Sequence, residues 1–501
     1  MRHRMLRVTL GALVLSAAIV GAVAAGTYTA GPLSTASGTS PFSAGCEGGG
    51  QTGTNYPNAE VEPRVAVDPT DSTHAISVWQ QDRWSNGGAH GLVSAVTHNS
   101  GTTWTRSTTL APFSICAGGT VANGGDFQRS SDPWVTFAPN GDAYQISLSF
   151  NDSNPEDAIL ASKSTDGGDT WSNPATLIRE NTGSVGLFLD KESITADPYD
   201  SNQVYAVWDR SNFPSDKATH GAGHAFSVRG TIQFARTTDA GSTWTTKTIF
   251  DPQASQFSIG NQIVVLPRSH DLVDITFLDR SGGSSRSWDV DVLRSTDDGD
   301  TWSAPIKIAD VVQTDVVDPD TGHLIRTGDI IPDIAVDPSS GNLYAVWQDG
   351  TFSSPPKGHA HAGIAFSEST DGGLTWSTPI ELNKVPSTQA FTPNVQVASD
   401  GTIGVTYADF RNNGPDPGLP TDYWFVHCHP SSQDCLASSN WVESHVAGSV
   451  DMENAPDAVG YFVGDYQGLG PSGTKFLSVF GAPNTGNTSN RTDIFSSLIS
   501  P

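Results

Sequence analysis

Four apolar runs in the sequence end in an acid followed by an arginine: Asp82-Arg83, Asp209-Arg210, Asp279-Arg280 and Asp409-x-Arg411. Asp349 closes a fifth run without the arginine. An arginine beside an aspartate most simply makes a local ion pair that orients the next loop. Gathered on one face, the same arginines could instead hold a carboxylate or sugar hydroxyls, because the planar guanidinium bonds both carboxylate oxygens. A second set appears when the recurring Asp-Pro turns are superimposed. The position just before each first apolar run is then Arg64, Trp134, Ser193, Gln262, Asp333, Asn394 and Tyr466. The three positions that follow stay mostly apolar or small. One position that varies in chemistry beside neighbours that keep their pattern is expected to meet solvent at a shared opening.

Other reactive types are more scattered. His90, His220, His224, His359 and His361 fall in loops. The pairs His359-x-His361 and His220-x3-His224 have a spacing that could ligate a metal, but loop histidines among Gly, Ser and Pro are read here as solvated. "DPDTG" (318–322) matches part of a calcium loop without its downstream glutamate. No metal site is therefore assigned and no cofactor is expected, a structural calcium at this loop being the exception. There is no Gly-rich phosphate loop, no G-x-S-x-G elbow and no H-E-x-x-H helix in the sequence.

The elements that would position these residues are repeats. Segments such as "PRVAVDPTDSTHAISVWQQDR" (63–83), "ESITADPYDSNQVYAVWDR" (192–210) and "PDIAVDPSSGNLYAVWQDG" (332–350) read as β-hairpins, and weaker copies begin near 133, 261, 393 and 465. A third strand follows, then an octet: "STDGGDTW" (164–171), "TTDAGSTW" (237–244), "STDDGDTW" (295–302) and "STDGGLTW" (369–376), with a degraded "THNSGTTW" at 97–104. Its chemistry is that of a turn into a fourth strand. Asp166, Asp239, Asp297 and Asp371 can accept backbone N–H groups. Trp171, Trp244, Trp302 and Trp376 are large enough to pack between neighbouring units. Four-stranded antiparallel units at this period predict an all-β propeller. Seven blades are favoured over six, with the ring closed by an N-terminal strand because the last unit has only three of its own. The sixth unit lacks an octet and carries "CHPSSQDCLASSNW" (428–441) instead.

The octet resembles the Asp-box, or BNR repeat, of the sialidase superfamily. The resemblance covers about residues 61–500 and implies a propeller with its Asp-boxes on the face opposite the active site. It also implies a scheme: an arginine triad for a sialic-acid carboxylate, a Tyr–Glu nucleophile and an Asp acid/base. Matched by residue type, Tyr466 would be nucleophile assisted by Glu192, with Asp333 or Asp132 as acid/base. Arg64 and two of Arg83, Arg210, Arg280 and Arg411 would bind substrate, with Trp134 alongside. "PRVAV" around Arg64 is similar to the family's Arg-Ile-Pro motif with its proline lost. The leading expectation is an exo-acting glycoside hydrolase of the sialidase type. The rivals are a non-catalytic glycan- or protein-binding propeller and a glycosidase for neutral polysaccharide, which would show two facing carboxylates instead.

Bulk properties set the context. Residues 1–25 read as a secretory signal peptide, with Arg2, Arg4 and Arg7 ahead of an apolar run; 26–60 read as a linker or closing segment. Removing the leader takes those three bases from 26 and leaves 53 acids, a net charge near −30. So acidic a body repels nucleic acid and anionic membranes. The expected product is a secreted monomer without a membrane span, acting on a glycan or glycoconjugate. The even cysteine count of an exported chain suggests disulfides, Cys428–Cys435 by proximity and Cys46–Cys116 by elimination.

Overall fold

Short runs rich in β-branched and aromatic residues, bounded by Gly, Pro and Asp, become strands throughout. The computed structural model describes residues 26–181, 186–212, 229–252, 256–280, 287–353 and 361–501. The leader, His220, His224 and His359 lie outside the described residues. Helical structure among the described residues is confined to three-residue 3-10 turns, so no helix there is long or apolar enough to cross a membrane.

The strands group into antiparallel units of one pattern. The first unit is Glu60–Asp68, Asp71–Arg83, Ala89–Thr97 and Thr105–Arg106; the second is Arg129–Phe137, Ala143–Phe150, Glu156–Ser164 and Ala175–Asn181. The third and fourth units begin at Leu187–Ala196 and Gln256–Val265, the fifth and sixth at Asp333–Val336 and Ala390–Val397. The seventh unit is Gly468–Ser472, Lys475–Pro483 and Thr492–Ser500. Onto its last strand pair Thr29–Ala30 and Ser34–Thr35 from the N-terminal segment. The first strands touch in chain order, and that of the seventh unit touches that of the first.

Apolar layers lie between consecutive units. Ile76 and Val96 of the first unit share a layer with Val135 and Leu160 of the second. Leu477 and Val479 of the seventh share another with Trp79 and Val93 of the first. The octet tryptophans enter these layers from one side. Trp171 packs into the layer shared with the preceding unit and donates its indole N–H to Ser94 Oγ (3.0 Å). Trp244, Trp302 and Trp376 take the corresponding places.

Within the octet, each hydrogen bond expected of a turn is made. Asp371 Oδ1 accepts the Thr375 N–H (2.9 Å), its Oδ2 accepts the Thr375 hydroxyl (2.6 Å), and Ser369 Oγ accepts the Gly373 N–H (2.9 Å). Asp166, Asp239 and Asp297 repeat the pattern. In the degraded copy Asn99 Oδ1 takes the Thr103 N–H (2.9 Å) and its amide donates to the Thr103 hydroxyl (2.8 Å), so an amide can do the carboxylate's work. Where the sixth unit lacks an octet, Cys428–Cys435 closes the hairpin and Trp441 donates to the Cys435 carbonyl (2.8 Å). Cys46–Cys116 is the second bridge.

Two outcomes follow from the octet geometry. Trp171→Ala should lower unfolding stability by about 3–5 kcal/mol, the cost of a large buried side chain, as read by denaturant melts. Asp371→Asn should melt closer to wild type than Asp371→Ala, because asparagine reproduces the turn bonds seen at Asn99.

Candidate functional site

A strand alternates its side chains, so something must break that alternation to gather charged groups at one end. The break is a β-bulge repeated near the start of the first strands. Pairing with the second strand slips between Val61 and Arg64, Ser131 and Trp134, Asp190 and Ser193, Ile259 and Gln262, and Phe391 and Asn394. The extra residues stand in the left-handed region: Glu62 (φ 55°), Asp132 (52°), Lys191 (50°), Gly260 (73°) and Thr392 (52°). Bulges of this kind re-aim side chains and recur beside active sites. They lie at the opposite end of the sheets from the octets. In the second unit the bulge precedes the Trp134–Ile146 pair, whereas the octet's Ser164 pairs with Ala143 at the other end.

Three bulge residues meet. Lys191 Nζ lies 3.5 Å from Glu62 Oε1 and 3.4 Å from Asp132 Oδ1, and 2.8 Å from Asp465 Oδ2. Asp465 also receives Arg326 (Nη2–Oδ2 2.8 Å, Nε–Oδ1 3.2 Å). Close backbone packing permits this. A Cβ on Gly328 would fall 1.8 Å from the Asp465 carbonyl oxygen, and one on Gly464 (φ 136°) 2.8 Å from the Glu62 nitrogen. Arg326 arrives on an insertion between the fourth and fifth units, Val316–Val317 and Leu324–Arg326, whose second strand runs parallel to Tyr461–Phe462. The Arg326 and Arg83 guanidiniums both lie over the Phe462 ring, at 4.5 and 4.8 Å. Arg83 gives Nη1 to Gln80 (2.7 Å), while its Nε has no hydrogen-bond partner among the described residues.

The electrostatics divide the carboxyl groups. Burial pushes Asp132 well above the usual carboxylate range, Glu62 and Asp190 push it the same way, and Lys191 opposes without prevailing. Burial would raise Asp465 too, but Arg326 and Lys191 outweigh it and hold that group ionised. Lys191 stays protonated because the acidic groups packed around it, with ionised Asp465 at 2.8 Å, outweigh its own burial. Arg83 is lowered to about 10 by burial and by Arg326. A neutral acid and an ionised carboxylate therefore share one ammonium, the separation of roles that acid/base chemistry needs.

These groups line two cavities that share part of their walls. A cavity of about 180 Å³ is walled by Lys191, Arg326, Asp465, Asp315, Asp329 and Val459 among others. A smaller one, bounded by Asp132, Asp190 and Arg83, shares Lys191 and Arg326 with it. Burial raises Asp329 to about 6, with Asp315 and Asp465 adding to it, while Gln313 bonds its carboxylate (3.0 Å).

The residues singled out in the sequence fall into two groups. Arg64, Trp134, Asp333 and Tyr466 do come together, as a buried layer. The Arg64 guanidinium stacks 3.5 Å over Trp134 and pairs with Asp333 at 3.3 Å. Tyr466 meets Trp134 edge-on at 5.4 Å and donates its hydroxyl to the Pro133 carbonyl (3.0 Å). Glu192 lines a small pocket with Tyr466 but accepts the Leu148 N–H, and no hydrogen bond joins it to the phenol among the described residues. Asp333 spends its second oxygen on the Val395 N–H (2.8 Å). The second group stays apart. Arg210 pairs with Glu180 (2.7 Å), and Arg280 binds Asp289 (2.5 Å) and Asp291 (2.9 Å). Arg411 binds Asp409 (2.7 Å) and Glu443 (2.6 Å) while stacked 3.6 Å over Trp424. Arg280 and Arg411 serve their own units, and Arg210 ties the third unit to the second.

Sequence reasoning reached Asp132 and Arg83 and missed Glu62, Lys191, Arg326 and Asp465. The bulge sits two residues before the aligned ring position, so superposition on the Asp-Pro turn pointed one step too deep. One signal was available for Arg326: the Trp302–Trp376 spacing of 74 exceeds the preceding 58, which marks extra chain before the fifth unit. The "DPDTG" loop is a tight turn in which Asp318 accepts the Asp320 N–H (2.8 Å) and binds the Thr321 hydroxyl.

No family model matches the chain, and no curated protein matches it. Solved structures are similar in overall course at low identity. A protein of unknown function from Dyadobacter fermentans is 12% identical over 89% of this chain and 96% of its own, with a TM-score of 0.46. A leech intramolecular trans-sialidase is 11% identical over 89% and 92%, TM-score 0.47. An α-L-arabinanase from Penicillium chrysogenum is 14% identical over 74% and 93%, TM-score 0.43.

Two measurements check the electrostatics. Lys191→Met takes the ammonium away from Glu62 and Asp132, Asp465 keeping Arg326, and should cost about 3–5 kcal/mol of stability. Asp329, whose folded pKa lies above its unfolded value, should weaken the fold as pH rises from about 4 to 6. Asp329→Asn should therefore be more stable than wild type at pH 7, by roughly 1–3 kcal/mol. That gain should vanish near pH 4 in thermal melts.

Proposed function

We propose that the units form one closed seven-bladed propeller, residues 61–500 sealed by strands from 26–60. We further propose that the chain is a secreted, monomeric glycoside hydrolase working at the bulge end. The observation that carries this reading is the pair Asp132 and Asp465 on Lys191: one carboxyl kept neutral, the other kept ionised, within 3.4 and 2.8 Å of the same ammonium. Asp132 donates the proton to the glycosidic oxygen as the bond to the anomeric carbon breaks. Asp465 stabilises the positive charge that develops on the sugar, and once the aglycone has left, water adds to the anomeric carbon and gives its proton back to the Asp132 carboxylate. Lys191 fixes both, and Glu62 buttresses Lys191. Arg83, with its unpartnered Nε, and Arg326 hold hydroxyls or an acidic group of the sugar. A cavity of about 180 Å³ is smaller than the ~300–1,000 Å³ of drug-sized ligand sites, which supports exo-action on a single terminal sugar.

Tyr466 is read as a packing residue beneath the site, since its hydroxyl is committed to a backbone carbonyl. The dispersed Arg210, Arg280 and Arg411 argue against a carboxylate clamp of three arginines, so a neutral sugar is favoured over a sialoside. A panel of 4-methylumbelliferyl glycosides, including an α-sialoside and an α-L-arabinofuranoside, tests the reading. Wild type should turn over a neutral member. Asp132→Asn should lower kcat at least 100-fold, with KM nearly unchanged. Turnover that survives in Asp132→Asn, or is abolished by Tyr466→Phe alone, would refute the assignment.

A further inference from the structure

One residue at the cavity mouth is held against its own backbone preference. Val459 has φ 69° and is 57% exposed. A β-branched residue in the left-handed region is a true outlier, and such strain costs on the order of 1–3 kcal/mol. Glycine or asparagine would fit that conformation more easily. Packing does not account for the valine, because its side chain faces largely outward. Hydrogen bonds tie down the loop around it. The Ala458 N–H donates to the Gly460 carbonyl (2.8 Å) and the Phe462 N–H to the Pro456 carbonyl (3.0 Å). The Asp457 carbonyl accepts the Tyr56 hydroxyl (3.2 Å). Several independent ties thus fix an exposed isopropyl group at one place.

That place is a wall of the 180 Å³ cavity. Val459, Ile330 and Ile331 supply apolar surface there, opposite in character to Lys191, Arg326 and Asp465. A sugar ring has the matching duality, with hydroxyls at its edge and C–H groups on its faces. Resting on the hydrolase reading, we infer that Val459 is a specificity-determining residue whose isopropyl group packs against the C–H face of the bound sugar. A ligand without such a face gains nothing from it.

The test uses Val459→Gly and Val459→Asn, which relieve the strain, and Val459→Ile, which keeps the apolar contact. The probes are the same 4-methylumbelliferyl glycosides, followed as substrates and, by isothermal titration, as ligands. The Gly and Asn variants should melt at or above the wild-type temperature, yet bind the preferred glycoside roughly five- to tenfold more weakly, as expected for losing an aliphatic contact. KM should rise with kcat little changed, and the Ile variant should stay within about twofold of wild type. Binding that persists without turnover would sink the hydrolase reading while leaving Val459 testable by titration. Unchanged affinity in both the Gly and Asn variants, or no binding of any probe by wild type, would overturn the inference.

Discussion

Three carboxyl groups drawn out of water around one ammonium form the constraint on which the rest of this site depends. Buried charge is tolerable only when paired and hydrogen-bonded, and Lys191 is the group that pairs Glu62, Asp132 and Asp465. The chain builds the cluster with a backbone device. A regular strand would send neighbouring side chains to opposite faces of the sheet, into the apolar layers. The left-handed bulge releases one residue from that alternation in five of the first strands and turns it out of the apolar layers.

The two ends of the sheets are thereby given different work. At one end the octets satisfy themselves: each aspartate bonds within its own turn, and its tryptophan ties the unit to the one before. The aspartate bonds are local in sequence and recur in all four octets. At the other end almost every decisive contact is long-range. Lys191 reaches residues of the first, second and seventh units, and Arg326 comes from an insertion belonging to none. Repetition supplies the frame, and departures from repetition supply the chemistry.

Left-handed backbone occurs at both ends, with Ser100, Ala240 and Asp298 adopting it within the octets. Glu62, Asp132, Lys191 and Thr392 carry left-handed backbones without being glycine, and Val459 does so at the cavity mouth. Each is held by surroundings that are themselves well packed: the apolar layers between units, the close approach at Gly328 and Gly464, and the insertion strand laid beside Tyr461–Phe462. A site assembled from strained residues on rigid strands keeps its geometry without reorganising.

The sequence alone determined the all-β class, the repeats and the turn chemistry of the octets, and it suggested two disulfides whose connectivity the structure supplied. Those features rest on local pattern: periodicity, β-branching, Asp-Gly turns and the spacing of tryptophans and cysteines. It also placed Arg64, Trp134, Asp333 and Tyr466 together, because residues at one repeat position must share one level of the structure. Only the tertiary structure decided which level holds the charges. A bulge is a mismatch between two paired strands, and neither strand records it by itself. Nor could the sequence separate Arg83, beside the cluster, from Arg210, Arg280 and Arg411. All four follow an acid, and only the packing of other units around them determines which arginine is left with a free edge.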